Sequence, residues 1–256
     1  ALEKSQEMFA IEANKWLKEQ DVPPLPKNSY RHFSTNLNVY IFPKPLMEDY
    51  LRLCELGDEW FGLDQSIRES KESFKMPENF KTENEKLIYF SMGSFGSNVV
   101  ELMSRLLKIL AKCKHKIIVV TGNFKDKLEL ADNMWGDSFL PQLEILPLVD
   151  LVITHGGNNT FVETLYFGKP MIVMPLFADQ HDNARRAVET KIGPAFNPFT
   201  VEESELLNAI DATLNDSETP KRIKIISEQI RESNAMDVLS QKLVQIARNP
   251  KFPTVM

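Results

Sequence analysis

Leu87-Ile88-Tyr89-Phe90-Ser91-Met92 runs straight into Gly93-Ser94-Phe95-Gly96, and that stretch decides the fold. The run is apolar but for Ser91, too short for a helix, and ends at a glycine loop, so it reads as a buried strand. From Asn98 to Ala111, Val99, Leu102, Met103, Leu106, Leu107 and Leu110 then recur at helical spacing. Strand, glycine loop and helix make one β-loop-α unit. Lys116 to Thr121, Leu151 to Thr154 and Met171 to Met174 are further apolar strands, each with a helical pattern between or after it. Strands that do not alternate, separated by helices, predict an α/β fold whose parallel sheet is covered by helices on both faces.

Toward the N-terminus, residues 2–19 carry a helical stripe ended by Val22-Pro23-Pro24-Leu25-Pro26. Leu37 to Phe42 alternates, is rich in β-branched and aromatic residues, and closes at Pro43 and Pro45, as a strand does. Between Asp49 and Lys86 no period is sustained, and Trp60, Phe61 and Phe74 stand singly, so this stretch reads as a connector. Downstream, Thr200 with Glu203 reads as a capping box for a helix to about Leu214, and two further helices run from Glu218 to the Asn249-Pro250 stop.

Composition narrows the possible partners. Thirty Lys and Arg against 36 Asp and Glu leave a net charge of −6, without a basic block to track a phosphate backbone, which argues against nucleic acid. Cys54 and Cys113 lack the spacing of a zinc site or a disulfide framework and fit a reducing compartment. The longest apolar runs, such as Pro170 to Ala178, fall short of the roughly 20 residues of a membrane span. The chain opens at Ala1 with neither a Met nor a signal segment, which points to a fragment or a processed form.

The chemistry concentrates between Phe139 and Gln180. Ile153-Thr154-His155-Gly156-Gly157-Asn158-Asn159-Thr160 reads as a strand, a glycine turn and the start of a helix over 160–167, closed by Gly168 and Pro170. Such a helix start offers unpaired N–H groups and a positive dipole end, and the paired glycines, Gly157 included, let a diphosphate approach the backbone. His155 can donate a hydrogen bond to an anionic oxygen. Asn159, Thr160 and Glu163 share one helix face, and the carboxylate suits a ribose diol better than a phosphate. Alone, a strand-Gly-Gly-helix turn is also ordinary α/β packing.

The whole set of spacings resembles the signature segment of the family-1, UDP-sugar-dependent glycosyltransferases. It comprises Phe139-Leu140-Pro141-Gln142, then Thr154-His155-Gly156-Gly157-Asn158-Asn159-Thr160-Phe161-Val162-Glu163, then Gly168-Lys169-Pro170 to Pro175, then Asp179-Gln180. Asp58 to Asp64 and Leu87 to Ser94 are similar to the segments that lead into and open the family's donor-binding domain. The resemblance implies the Rossmann-like C-terminal domain of a GT-B architecture over residues 81–256. Residues 1–80 are then the tail of the acceptor-binding domain and its linker. It implies that Phe139 stacks on uracil, that Gln142 bounds the base and ribose, and that Glu163 accepts from the ribose hydroxyls. Ser94, His155, Asn159 and Thr160 are expected to hold the diphosphate, and Asp179 with Gln180 the transferred sugar.

The implied reaction is inverting transfer of a hexose, glucose first, from a UDP-sugar to a small lipophilic acceptor hydroxyl. His155 is the expected leaving-group stabiliser, and the catalytic base is expected in a missing N-terminal half, leaving the isolated chain inactive. UDP-sugar is a co-substrate here, with no cofactor. No metal is expected, since no Asp-x-Asp occurs. The sequence departs from the family's common pattern at Phe139, where many members have Trp, and at the apolar Ile145 to Val149, where many have a His. Trp135 is a reserve candidate for stacking. His32 reads as a loop residue, His115 as exposed, and His181 with Asp182 as a first helical turn. Asn183 and Arg185 read as packing and surface, Met92, Met103, Met171 and Met174 as core fillers, and the lysines of 125–127 and 221–224 as solvated.

Two other readings stand beside this one: a second kind of UDP-sugar GT-B enzyme, such as an N-acetylglucosaminyltransferase or epimerase, and a nucleotide-sugar-binding module without turnover. A dinucleotide dehydrogenase is excluded, because no G-x-G-x-x-G follows a strand. The chain's end without an apolar helix favours a cytoplasmic member over one anchored in the endoplasmic reticulum.

Overall fold

β3 (Leu87–Ser91) is the middle strand of a five-stranded parallel sheet, and all five of its residues are buried. The structure, a computed structural model, describes residues 2–26, 29–53, 56–70, 72–78, 80 and 85–250. Cys54 and position 81, where the donor-binding domain is expected to begin, lie outside them. Two compact units are present.

The smaller unit comprises Ala1–Tyr40, Glu55–Phe61 and Asp237–Met256. Its helix α1 (Leu2–Glu19) spans the expected stripe, with Phe9 set edge-on to Tyr30 at 5.2 Å. The proline exit is tied back by Leu25 N–H, which donates to Asn14 Oδ1 at 2.7 Å. Strand β1 (Asn38–Ile41) pairs with β2 (Trp60–Leu63).

The larger unit comprises Ile41–Cys54 and Gly62–Met236. It opens with α2 (Lys44–Leu51) and holds β3, α3 (Gly93–Gly96), α4 (Val100–Leu110), β4 (Lys116–Val120), β5 (Met134–Asp137), α5 (Gln142–Ile145) and β6 (Leu151–Thr154). After these come α6 (Asn158–Tyr166), β7 (Met171–Val173), α7 (Asp179–Glu189), α8 (Glu203–Asn215) and α9 (Glu218–Glu232). The last helix, α10 (Ala235–Arg248), begins in this unit. The strand order is β5-β4-β3-β6-β7, every pairing parallel.

Period-two geometry sends successive β3 side chains to opposite faces. Ile88 and Phe90 join the layer of α4 and α8 that holds Leu102, Met103, Leu106, Leu206 and Ile210. Leu87 and Tyr89 join the layer containing Ile145, Phe161, Leu165 and Ile223. Helices therefore cover both faces, and a strand with two apolar faces needs no alternation. Met92, Met103, Met171 and Met174 are wholly buried core residues.

Several elements differ from the sequence expectation. β5 went unread because Met134-Trp135-Gly136-Asp137 includes two poor strand formers and lies at the sheet edge. A Cβ on Gly136 would collide with the Val119 carbonyl, so close approach to β4 requires the glycine. The link from β4 to β5 is a 3₁₀ segment, Gly122–Lys127, where a helical pattern was expected between strands. α2 and β2 interrupt the supposed connector; α2 buries only Leu46, too little to leave a period. α6 starts at Asn158, two residues before the expected start, and α4 starts at Val100 after the separate turn α3. The box at α8 is formed by Glu202 and Glu205, whose carboxylate accepts from the Glu202 N–H at 3.0 Å, and Thr200 and Glu203 play no part in it. His115 is largely covered and sits 3.3 Å from Asp211 Oδ1, which corrects its reading as exposed. No helix among the described residues is long and apolar enough to cross a membrane.

Candidate functional site

The carboxyl ends of β3 and β6 lie side by side where the chain, having added β4 and β5 to one edge, crosses to the other. Ser91 and Thr154 are register neighbours there. Loops diverge at such a reversal of strand order and leave a crevice. Thr154 leads through His155 to α6, whose N-cap is Gly157, with no side chain capping the first turn. Its first helical bond runs from Phe161 N–H to the Gly157 carbonyl at 3.0 Å, leaving the N–H groups of the opening turn without helical partners.

A cleft of about 410 Å³ opens at this point. Ser94, Phe139, Gln142, Asn159, Thr160 and Glu163 all line it, so six of the sequence candidates share one cavity. Phe139 is 67% exposed, an uncovered aromatic face at the rim. The floor is a polar network centred on Gln142, whose Oε1 accepts from Tyr89 OH at 3.2 Å and Thr160 Oγ1 at 3.3 Å. Its Nε2 donates to Glu163 Oε2 in a short contact. Burial pushes the Glu163 carboxyl above its ordinary range, while the Gln142 bond and the charge of Arg68 pull it back. The Tyr89 phenol is pushed up chiefly by its burial.

His155, Gly157, Asp179 and Gln180 do not line the cleft. His155 lies behind its wall, where a Cβ on either Gly93 or Gly157 would run into the imidazole. Burial lowers its pKa; a bond to the Ser91 backbone and the charge of Asp179 oppose that. The lowered pKa favours the neutral ring, whose single N–H the Ser91 carbonyl accepts. Asp179 is exposed at the start of α7. Gln180 is 4% exposed, and its Oε1 accepts from Leu176 N–H at 2.9 Å and Phe177 N–H at 3.1 Å, which shapes the loop before α7. Asn183 donates from Nδ2 to the Gly156 carbonyl at 2.8 Å, fixing the glycine turn from α7.

Residues 35–241 match the family described as UDP-glucoronosyl and UDP-glucosyl transferase. The chain belongs to this family. It is 29% identical over 196 residues to the uncharacterized UDP-glucosyltransferase YdhE of Bacillus subtilis (strain 168), covering 75% of this chain and 49% of that protein. UDP-glucuronosyltransferase 2B17 of Homo sapiens is 34% identical over 133 residues, 51% of this chain and 25% of the human protein. The chain thus spans about half the length of the Bacillus relative and a quarter of the human one. Among solved structures, the glycotransferase of kitacinnamycin superposes with a TM-score of 0.72 at 23% identity, over 93% of this chain and 61% of the other. That likeness bears on the fold, a GT-B glycosyltransferase fold.

Tyr89 and Arg68 also line the cleft and escaped the sequence reading. Tyr89 was legible only as a strand residue, although a phenol in a buried apolar run demands a hydrogen-bond partner. Arg68 sits in the unpatterned connector and carries no local signal. Trp135 packs on Phe74 at 5.9 Å and does not line the cleft. Of the other histidines, His32 bonds the Pro23 carbonyl through Nε2 at 3.0 Å, and His181 is exposed on α7. Among the described residues no group of three or more His, Cys, Asp or Glu is placed to hold a metal.

Proposed function

We propose that this chain is the donor-binding half of a UDP-sugar-dependent glycosyltransferase that transfers a hexose, glucose first, to a small lipophilic hydroxyl compound with inversion. The observation that carries the reading is the cleft in which exposed Phe139, the Gln142–Glu163 pair and the uncapped start of α6 converge. On this reading uracil stacks on Phe139 and the ribose hydroxyls donate to Glu163. The diphosphate meets Ser94, Asn159, Thr160 and the free N–H groups of α6.

As the acceptor oxygen attacks the anomeric carbon, the bond to the β-phosphate breaks and negative charge grows on UDP. His155, by turning its N–H from the Ser91 carbonyl or by taking up a proton, donates toward that charge, and the helix dipole adds to it, each contribution being worth about 0.3–2 kcal/mol to an anion. Several must combine, and they act without a metal. Asp179 and Gln180 hold sugar hydroxyls, with the Gln180 amide nitrogen the free end of that side chain. Residues 81–256 form the donor domain on this reading, and 1–80 the end of the acceptor domain with its linker. His32, His115 and His181 lack the environment of a general base, so the base comes from outside this chain. That same observation favours a second reading, a nucleotide-sugar-binding module without turnover.

Calorimetric titration with UDP in excess EDTA tests the donor reading. Binding by the wild type that is lost in a His155→Ala, Glu163→Ala double variant supports it; no heat at millimolar UDP sinks it. Transfer from UDP-glucose to a phenolic acceptor by the chain alone would overturn both the external base and the module reading.

A further inference from the structure

We propose that Arg68 is a nucleotide-positioning residue, its guanidinium packing on the nucleobase held by Phe139 at the rim shared by two hollows. The inference rests on the donor-site reading above. Beside the main cleft lies a second hollow of about 270 Å³. Arg68, Phe139 and Gln142 line both, so these three side chains mark the rim where the hollows meet. A planar base entering against Phe139 arrives at that rim, within the reach of Arg68.

Arg68 is also uncommitted. It makes no hydrogen bond or ion pair among the described residues, although Glu69 and Glu72 line the same hollow. Its positive charge draws Glu163 toward the ionised form against burial. The other groups facing Glu163 are Gln142, which is neutral, and the Tyr89 phenol, whose own pKa is raised. A guanidinium stacks on flat rings and still turns its in-plane N–H groups to oxygen acceptors, which a lysine cannot do. Phe139 offers one exposed stacking face, and Arg68 supplies the second one.

UDP titrations of wild type, Arg68→Ala and Arg68→Lys across pH 4 to 8 test the role, with melting temperatures as a folding check. Arg68 is exposed in a loop, so both variants should fold, with Arg68→Ala melting slightly lower at pH 7 because Glu163 loses the nearby cation. Arg68→Ala is expected to bind UDP about tenfold more weakly. Its acid limb should lie at higher pH, because Glu163 without the nearby cation protonates sooner. Arg68→Lys should keep the wild-type acid limb and still bind more weakly. An Arg68→Ala chain that binds UDP as wild type does at every pH overturns the inference, and full rescue by lysine overturns the packing role. Failure of the wild type itself to bind UDP would instead remove the donor-site reading.

Discussion

The imidazole of His155 occupies the space where a side chain on Gly93 would begin: a Cβ there would lie 2.5 Å from Nε2. Gly93 also has φ +69°, so its backbone would be strained by any side chain. The turn that follows β3 and the turn that follows β6 are thus locked together through a missing methyl group.

Gly93→Ala should therefore do two things at once. Left-handed strain of about 1 kcal/mol lowers the melting temperature, and the displaced imidazole lowers UDP affinity by about tenfold or more. Gly168→Ala is the control: φ is +67°, but the nearest atom to its Cβ is Ser227 Oγ at 3.7 Å. It should show the same loss of stability with unchanged UDP binding. Equal UDP affinity in both variants would separate His155 from the ligand.

Glu163→Gln should raise stability while impairing binding. The carboxylate is 8% exposed, and burial raises its pKa above the ordinary 4.5. A folded-state pKa above the unfolded one means that ionised Glu163 costs stability at neutral pH. That cost is relieved as pH falls through the raised value toward 4.5. The variant should melt a few degrees higher than wild type at pH 7, with the gap closing on acidification. Its UDP affinity should fall about tenfold, because an amide oxygen is a weaker acceptor than a carboxylate. Melting curves at pH 5 and 7 and one titration check both parts.

How much of this was legible in the sequence depends on where each signal came from. β3, β4, β6 and β7 are apolar on both faces, and burial on both faces is what a continuous apolar run records. β5 and α2 bury too few side chains to leave such a run. Within the site, Phe139, Gln142, Asn159, Thr160 and Glu163 stood out through the spacing of one contiguous segment. Tyr89 and Arg68 come from segments remote in sequence, and only the folded sheet brings them to Gln142 and Glu163. The same limit applied to Gln180, whose bonds to the loop amides are invisible until the loop is folded.

Asp179 and Gln180, adjacent in sequence, should respond differently to substitution. Gln180→Ala leaves the Leu176 and Phe177 N–H groups without their acceptor, a loss of about 1–3 kcal/mol that lowers the melting temperature. Asp179→Asn changes an exposed side chain and should leave the melting temperature unchanged. On the proposed function, Asp179→Asn keeps UDP affinity and loses the added affinity of UDP-glucose over UDP. Parallel titrations with the two ligands decide it, and equal loss for both would place Asp179 at the diphosphate.

His155 supplies a pH test of opposite sign to Glu163. Its folded-state pKa is lowered from 6.5 by burial, so below that value the unfolded chain takes up a proton that the folded chain refuses. Stability should therefore fall as pH drops from 6.5 to the lowered value, then level off; in His155→Asn that fall should vanish. UDP reverses the bias, because an anion beside the ring favours the protonated form. Just below pH 6.5, binding should draw in a proton, and the calorimetric enthalpy should change with the buffer's heat of ionisation. A binding enthalpy that is the same in every buffer at that pH would mean that the diphosphate does not reach His155, and the leaving-group role would fall with it.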